Sequence, residues 1–92
     1  MKINYTSPIT NTRTSARVDQ NLWEIFTRVA KETGASEERM APELWVAQFA
    51  KEFEAYGKEQ CSTFAGFISL RLKEEIMMDL DALGSGQLRL PA

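Results

Sequence analysis

The apolar positions of this chain fall into one short alternating stretch and three helical stripes. Residues 12–18, TRTSARV, alternate: Arg13, Ser15 and Arg17 fall on one side, Thr14, Ala16 and Val18 on the other, as successive side chains of a strand do. A helix is predicted to follow over residues 20–33, where Leu22, Ile25, Phe26, Val29 and Ala30 recur at helical spacing. Asp19 suits its N-cap, Val18 can staple onto Trp23, and Gly34 is the expected left-handed stop. Residues 1–11 are rich in Thr, Asn and Ser with one Pro, and predict a flexible arm.

Beyond Gly34 a turn is predicted, with Ser36 capping a short acidic segment through Glu37 and Glu38. Pro42 fits the first position of a second helix over residues 42–56, where its missing N–H costs nothing, with Gly57 as the stop. Its apolar set, Leu44, Trp45, Val46, Ala47, Phe49, Ala50, Phe53 and Tyr56, is broad enough to need neighbours on more than one side. A third helix is predicted from a cap at Ser62 to Leu83, ended by Gly84. Phe64, Ile68, Leu72, Ile76 and Leu80 recur every four residues along it. Ile68, Leu70 and Leu72 also alternate as a strand would, but the four-residue stripe crosses that alternation without a break, so helix is the expectation. Residues 85–92 are expected to form a loose or short extended tail.

At 92 residues the chain is one small domain, and oligomerisation is a natural supplement to so modest a core. It contains no histidine, which removes the usual general base and the commonest metal ligand. The lone Cys61 can form neither an intrachain disulfide nor a zinc cluster, and is expected to be structural or inert. Glu74, Glu75, Asp79 and Asp81 read as a solvated helix face. Trp23, Trp45 and the phenylalanines read as core or dimer interface, and the adjacent Met77 and Met78 as gap-fillers. No enzyme, cofactor or metal site is expected. Without a signal-like segment or a membrane-length apolar run, the expected location is cytoplasmic and the expected partners exclude membrane.

Net charge is -2, but the distribution is uneven. Residues 1–34 hold five basic side chains against three acidic, whereas residues 35–60 hold three against six. The basic character gathers around the alternating segment.

The order of parts over residues 12–34 (polar strand, cap, amphipathic helix, glycine) resembles the opening of the ribbon-helix-helix (MetJ/Arc superfamily) DNA-binding fold, most closely in RVDQNLWEIFTRVAKETG. The resemblance implies a mainly α protein in which one short N-terminal strand pairs across a homodimer, followed by helices, here with an additional C-terminal helix of the kind some members use for association beyond the dimer. The implied organisation is a flexible arm over 1–11, a ribbon-helix-helix core over 12–57, the C-terminal helix over 58–84 and the tail. It further implies a transcriptional repressor or antitoxin-like regulator bound to double-stranded DNA, with Arg13, Ser15 and Arg17 reading bases and Ser36 with its adjacent backbone at phosphate. Arginine suits that task because its planar fork donates twice to guanine, and serine bonds to either type of base edge. The rival expectation is a small acidic helical inhibitor or adaptor of phage or plasmid type, whose partner is a protein.

Overall fold

Lys2–Thr6 and Arg13–Arg17 form two antiparallel strands, β1 and β2, in a computed structural model that describes the backbone of residues 1–89 and the side chains of residues 1–84. Residues 1–11 are therefore not a flexible arm. The sequence KINYT alternates Ile3 and Tyr5 with Asn4 and Thr6 and is rich in strand-favouring residues, and Ile3 and Tyr5 face the core. The loop between the strands is built from Ser7, Pro8 and Asn11. Ser7 Oγ accepts the Ile9 and Thr10 amides at 3.2 and 3.4 Å, while Asn11 adopts a φ of 57°, which asparagine tolerates better than most residues. The Ser7 amide then donates to the Thr12 carbonyl at 2.9 Å and closes the hairpin.

The register sets Lys2 against Arg17, Ile3 against Ala16, Asn4 against Ser15, Tyr5 against Thr14 and Thr6 against Arg13. The expected single strand is thus two, and β2 finds its partner in its own chain. β1 takes one hydrogen-bonding edge of β2, and among the described residues the other edge of β2 is unpaired.

Helix α1, Gln20–Glu32, starts as its sequence predicts: the Leu22 amide donates to Asp19 Oδ1 at 3.1 Å. Its end is a Schellman motif. Gly34, at φ +101°, donates to the Lys31 carbonyl at 3.0 Å, and Ala35 reaches back to the Ala30 carbonyl at 3.0 Å. A 3₁₀ turn at Glu38–Met40 follows, without a side-chain cap; Ser36 contributes only its carbonyl, which accepts the Arg39 amide. Helix α2, Pro42–Ala55, opens on its proline. Gly57 is not a left-handed stop. It is buried in a second 3₁₀ turn, where a Cβ would lie 2.7 Å from a Phe67 ring carbon, so close packing demands glycine here.

Helix α3, Phe64–Arg89, is capped by Thr63, one residue after the expected Ser62: its Oγ1 accepts the Gly66 amide at 3.1 Å. The helix passes through Gly84 instead of stopping there, so residues 85–89 are helical, and the end of the expected tail, 90–92, lies outside the described residues. Among the described residues the fold is mainly helical, with one two-stranded sheet and three α-helices. Among the described residues no helix is long and apolar enough to cross a membrane.

The core forms where the inner face of the hairpin (Tyr5, Ala16, Val18) meets Trp23 and Phe26 of α1, Val46 and Phe49 of α2, and Phe67, Ile68, Leu72 and Ile76 of α3. Aromatic rings run through it: Phe26 packs edge-on to Trp45 at 4.9 Å, and Phe53 lies 5.4 Å from Phe67. Tyr5 carries the hairpin onto this framework, its ring 6.4 Å from Phe64.

Candidate nucleic-acid interface

Period-two alternation gives the hairpin two unlike faces. Ile3, Tyr5, Ala16 and Val18 point into the core, and their burial fixes the ribbon to the helices. The opposite face consists of Lys2, Asn4 and Thr6 from β1 and Arg13, Ser15 and Arg17 from β2, every one exposed. It carries three cations, three neutral hydrogen-bonding side chains and no carboxylate.

Lys2 and Arg17 stand directly across the ladder, an arrangement that costs stability when no anion lies between them. At the other end, Arg13 donates to Thr6 Oγ1 at 3.4 Å, which orients its guanidinium without neutralising it. The two ends are separated by about 14 Å, from the rise of about 3.4 Å per residue. Two shallow depressions mark the face, of about 390 Å³ beside Lys2, Ser15 and Arg17 and about 370 Å³ beside Asn4, Arg13 and Ser15.

Arg13, Ser15 and Arg17 are therefore brought together as their spacing predicts. Ser36 is not among them. It follows the far end of α1, and thirteen helical residues at about 1.5 Å each place about 20 Å of helix between Arg17 and the turn that holds it. The local charge there is also unlike the ribbon's: Glu37 pairs with Lys31 at 2.6 Å, and Glu43 stands in the first turn of α2.

Sequence reasoning missed Lys2, Asn4 and Thr6, which complete the face. The signal was present in the KINYT alternation and in a Ser-Pro pair followed by Asn, a turn-forming combination.

A separate cleft of about 240 Å³ lies between the end of α1 and α3, lined in part by Thr33, Arg39, Trp45, Glu75 and Asp79 and by no ribbon residue. Burial, and then the neighbouring Glu75 charge, raise the Asp79 pKa. Among the described residues no group of three or more His, Cys, Asp or Glu gathers to hold a metal ion. No family model, curated protein or solved structure matches this chain.

Proposed function

We propose that this protein binds double-stranded DNA with the outer face of its β1–β2 hairpin and acts as a transcriptional repressor or antitoxin-like regulator. The observation that carries the reading is a ribbon face with Lys2, Arg13 and Arg17 and no acidic residue, on a chain whose net charge is -2. A two-stranded ribbon is narrow enough to enter the major groove, about 12 Å wide, and five residues of strand run beside about five base pairs. Arg13, Ser15 and Arg17 are the base-reading side chains, with Asn4 beside them and Lys2 at phosphate. This is the role that the ribbon-helix-helix resemblance implies, performed by two strands of one chain in place of one strand from each of two.

Titration of a fluorescent duplex across a salt series tests the proposal. With one phosphate neutralised by Lys2, the logarithm of the binding constant falls against log salt with a slope of roughly -0.9. Arg13→Ala and Arg17→Ala each lower the discrimination between duplex sequences by about 1–3 kcal/mol. Binding that ignores salt, or that survives both substitutions together, overturns the proposal.

One observation favours the protein-binding rival. Leu44 is 60% exposed on α2 beside Trp45 and Glu43, an apolar spot with an acidic neighbour. Capture of a nuclease-resistant protein partner by a chain with no affinity for duplex DNA decides for that reading.

A further inference from the structure

The inward face of α3 is covered by the core through Phe67, Ile68, Leu72 and Ile76, but its distal half carries apolar side chains on the other side as well. Met77 is 59% exposed and Leu80 46%. With half-buried Leu70 they recur at spacings of seven and three, so they share one outward stripe with Lys73 and Gly84. A soluble domain gains nothing from methionine and leucine held in water on a helix of this regularity.

We propose that this stripe is the contact of a homodimer in which two α3 helices pack antiparallel with Met77 on the twofold axis. Charge fixes both the occupant and the register. Lys73 and Asp81 are exposed, stand four residues either side of Met77, and form no ion pair among the described residues. A twofold axis at Met77 brings Lys73 of each copy opposite Asp81 of the other, so one operation satisfies four charges. The same operation sets Leu70 of one copy against Gly84 of the other.

Gly84 supports that pairing independently. Glycine inside a helix is destabilising relative to alanine, because its backbone loses more freedom on folding. Among the described residues nothing lies within 4 Å of a Cβ built at Gly84, so they give no packing reason for the glycine. A leucine from a second helix, seated where the missing side chain would be, supplies one. DNA is a poor occupant because Glu74, Asp79 and Asp81 cluster around this end of the helix. Four turns of helix pairing bury an area near the lower bound of specific interfaces, about 1,200 Å², so a micromolar dissociation constant is expected.

Sedimentation equilibrium of the full chain without DNA, up to about 200 µM, tests the inference apart from the proposed function. The expected result is a mass rising with concentration from 10.4 kDa toward twice that value. Lys73→Asp or Asp81→Lys alone weakens association at least about tenfold, and the two together restore it to within about threefold, the behaviour of a coupled pair. Met77→Glu gives a monomer with an unchanged far-UV spectrum, since the side chain it replaces is exposed. A wild-type chain that stays monomeric throughout the range overturns the inference, even if this face proves to capture a different protein. So does a dimer that ignores Met77→Glu, or a paired charge reversal that fails to restore association.

Discussion

Replacing Arg71 with methionine should destabilise the protein at neutral pH by an amount that shrinks as the solution is acidified. Arg71, on α3, donates from Nε to Glu52 of α2 at 2.7 Å and from Nη2 to Glu75 at 3.0 Å, with its guanidinium carbon 5.4 Å from the centre of the Phe49 ring. The three charged side chains are only 15–20% exposed. Removing the cation leaves two largely covered carboxylates facing each other. Breaking a fully buried pair this way costs about 3–5 kcal/mol; residual solvent contact here brings the expectation to about 2–3 kcal/mol. At about 4–8 °C per kcal/mol for a domain of this size, the melting temperature drops by roughly 10–20 °C.

The pH dependence separates this account from simple loss of packing. Burial pushes the Glu52 pKa up, but hydrogen bonds from Arg71 and Gln48 and the Arg71 charge outweigh it, and the net shift is downward. A carboxylate depressed in the folded state contributes stability above its unfolded pKa of about 4.3 and loses it as pH falls through the folded value. In the Arg71→Met protein only the Gln48 and Tyr56 hydrogen bonds still oppose burial, the largest cause, and Glu75 adds repulsion, so the folded pKa rises above the unfolded one. Stability then grows as pH falls from 7 toward about 4, opposite in sign to this site's contribution in the wild type. Urea unfolding followed by circular dichroism at several pH values, at one low protein concentration, measures both slopes. Parallel pH profiles, or a loss below about 0.5 kcal/mol at pH 7, would refute the reasoning. Pairing Arg71→Met with Glu52→Leu should recover part of the loss, because an apolar pair replaces an ionic one without leaving the Glu52 charge orphaned.

Two further outcomes are expected. Gly57→Ala places a Cβ 2.7 Å from Phe67 and 2.9 Å from Phe53; because Phe67 is fully buried the ring cannot swing away, and the urea midpoint should fall by the equivalent of about 1–3 kcal/mol with an unchanged slope. Burial raises the Tyr5 pKa, so the phenol contributes stability below its unfolded value of about 10 and loses it as pH rises through the folded one; Tyr5→Phe should be near neutral at pH 7 and should flatten the alkaline fall in melting temperature.

What the sequence made legible was local. The Asp19 cap, the Gly34 turn and the Pro42 start each depend on residues within about four positions, and the buried stripe of α3 follows from spacing alone. What it hid depended on distant partners. KINYT looked like an arm because its strand character is expressed only when Ile3 and Tyr5 have a core to enter and Arg13–Arg17 to pair with. Gly57 was read as a stop from its place after a helix, whereas its true constraint is a ring ten residues later. Gly84 carried the same signal with no stop at all, since α3 continues past it. Periodicity likewise named Leu44 and Leu80 as part of apolar faces without revealing that both are left in water. For the candidate interface, alternation placed Arg13, Ser15 and Arg17 on one face correctly, and the family pattern added Ser36 although α1 separates it from them.

A net charge of -2 says little about what this surface offers a polyanion, because the acidic groups and the ribbon cations are disposed differently. Several of the carboxylates are already engaged: Glu37 with Lys31, Glu54 with Lys58, and Glu52 and Glu75 with Arg71. The basic residues of the helices are spent partly on those pairs, whereas Lys2, Arg13 and Arg17 have no carboxylate partner among the described residues. Screening at physiological salt limits the reach of each charge to about 8 Å, so an anion lying on the ribbon responds chiefly to the ribbon. The inner face adds the second requirement, rigidity. Tyr5, Ala16 and Val18 are buried against the helices, so the outer side chains start from a fixed strand spacing and little backbone ordering remains to be done on binding. A loose arm with the same two arginines would have to order its backbone on contact; this hairpin has done so in folding.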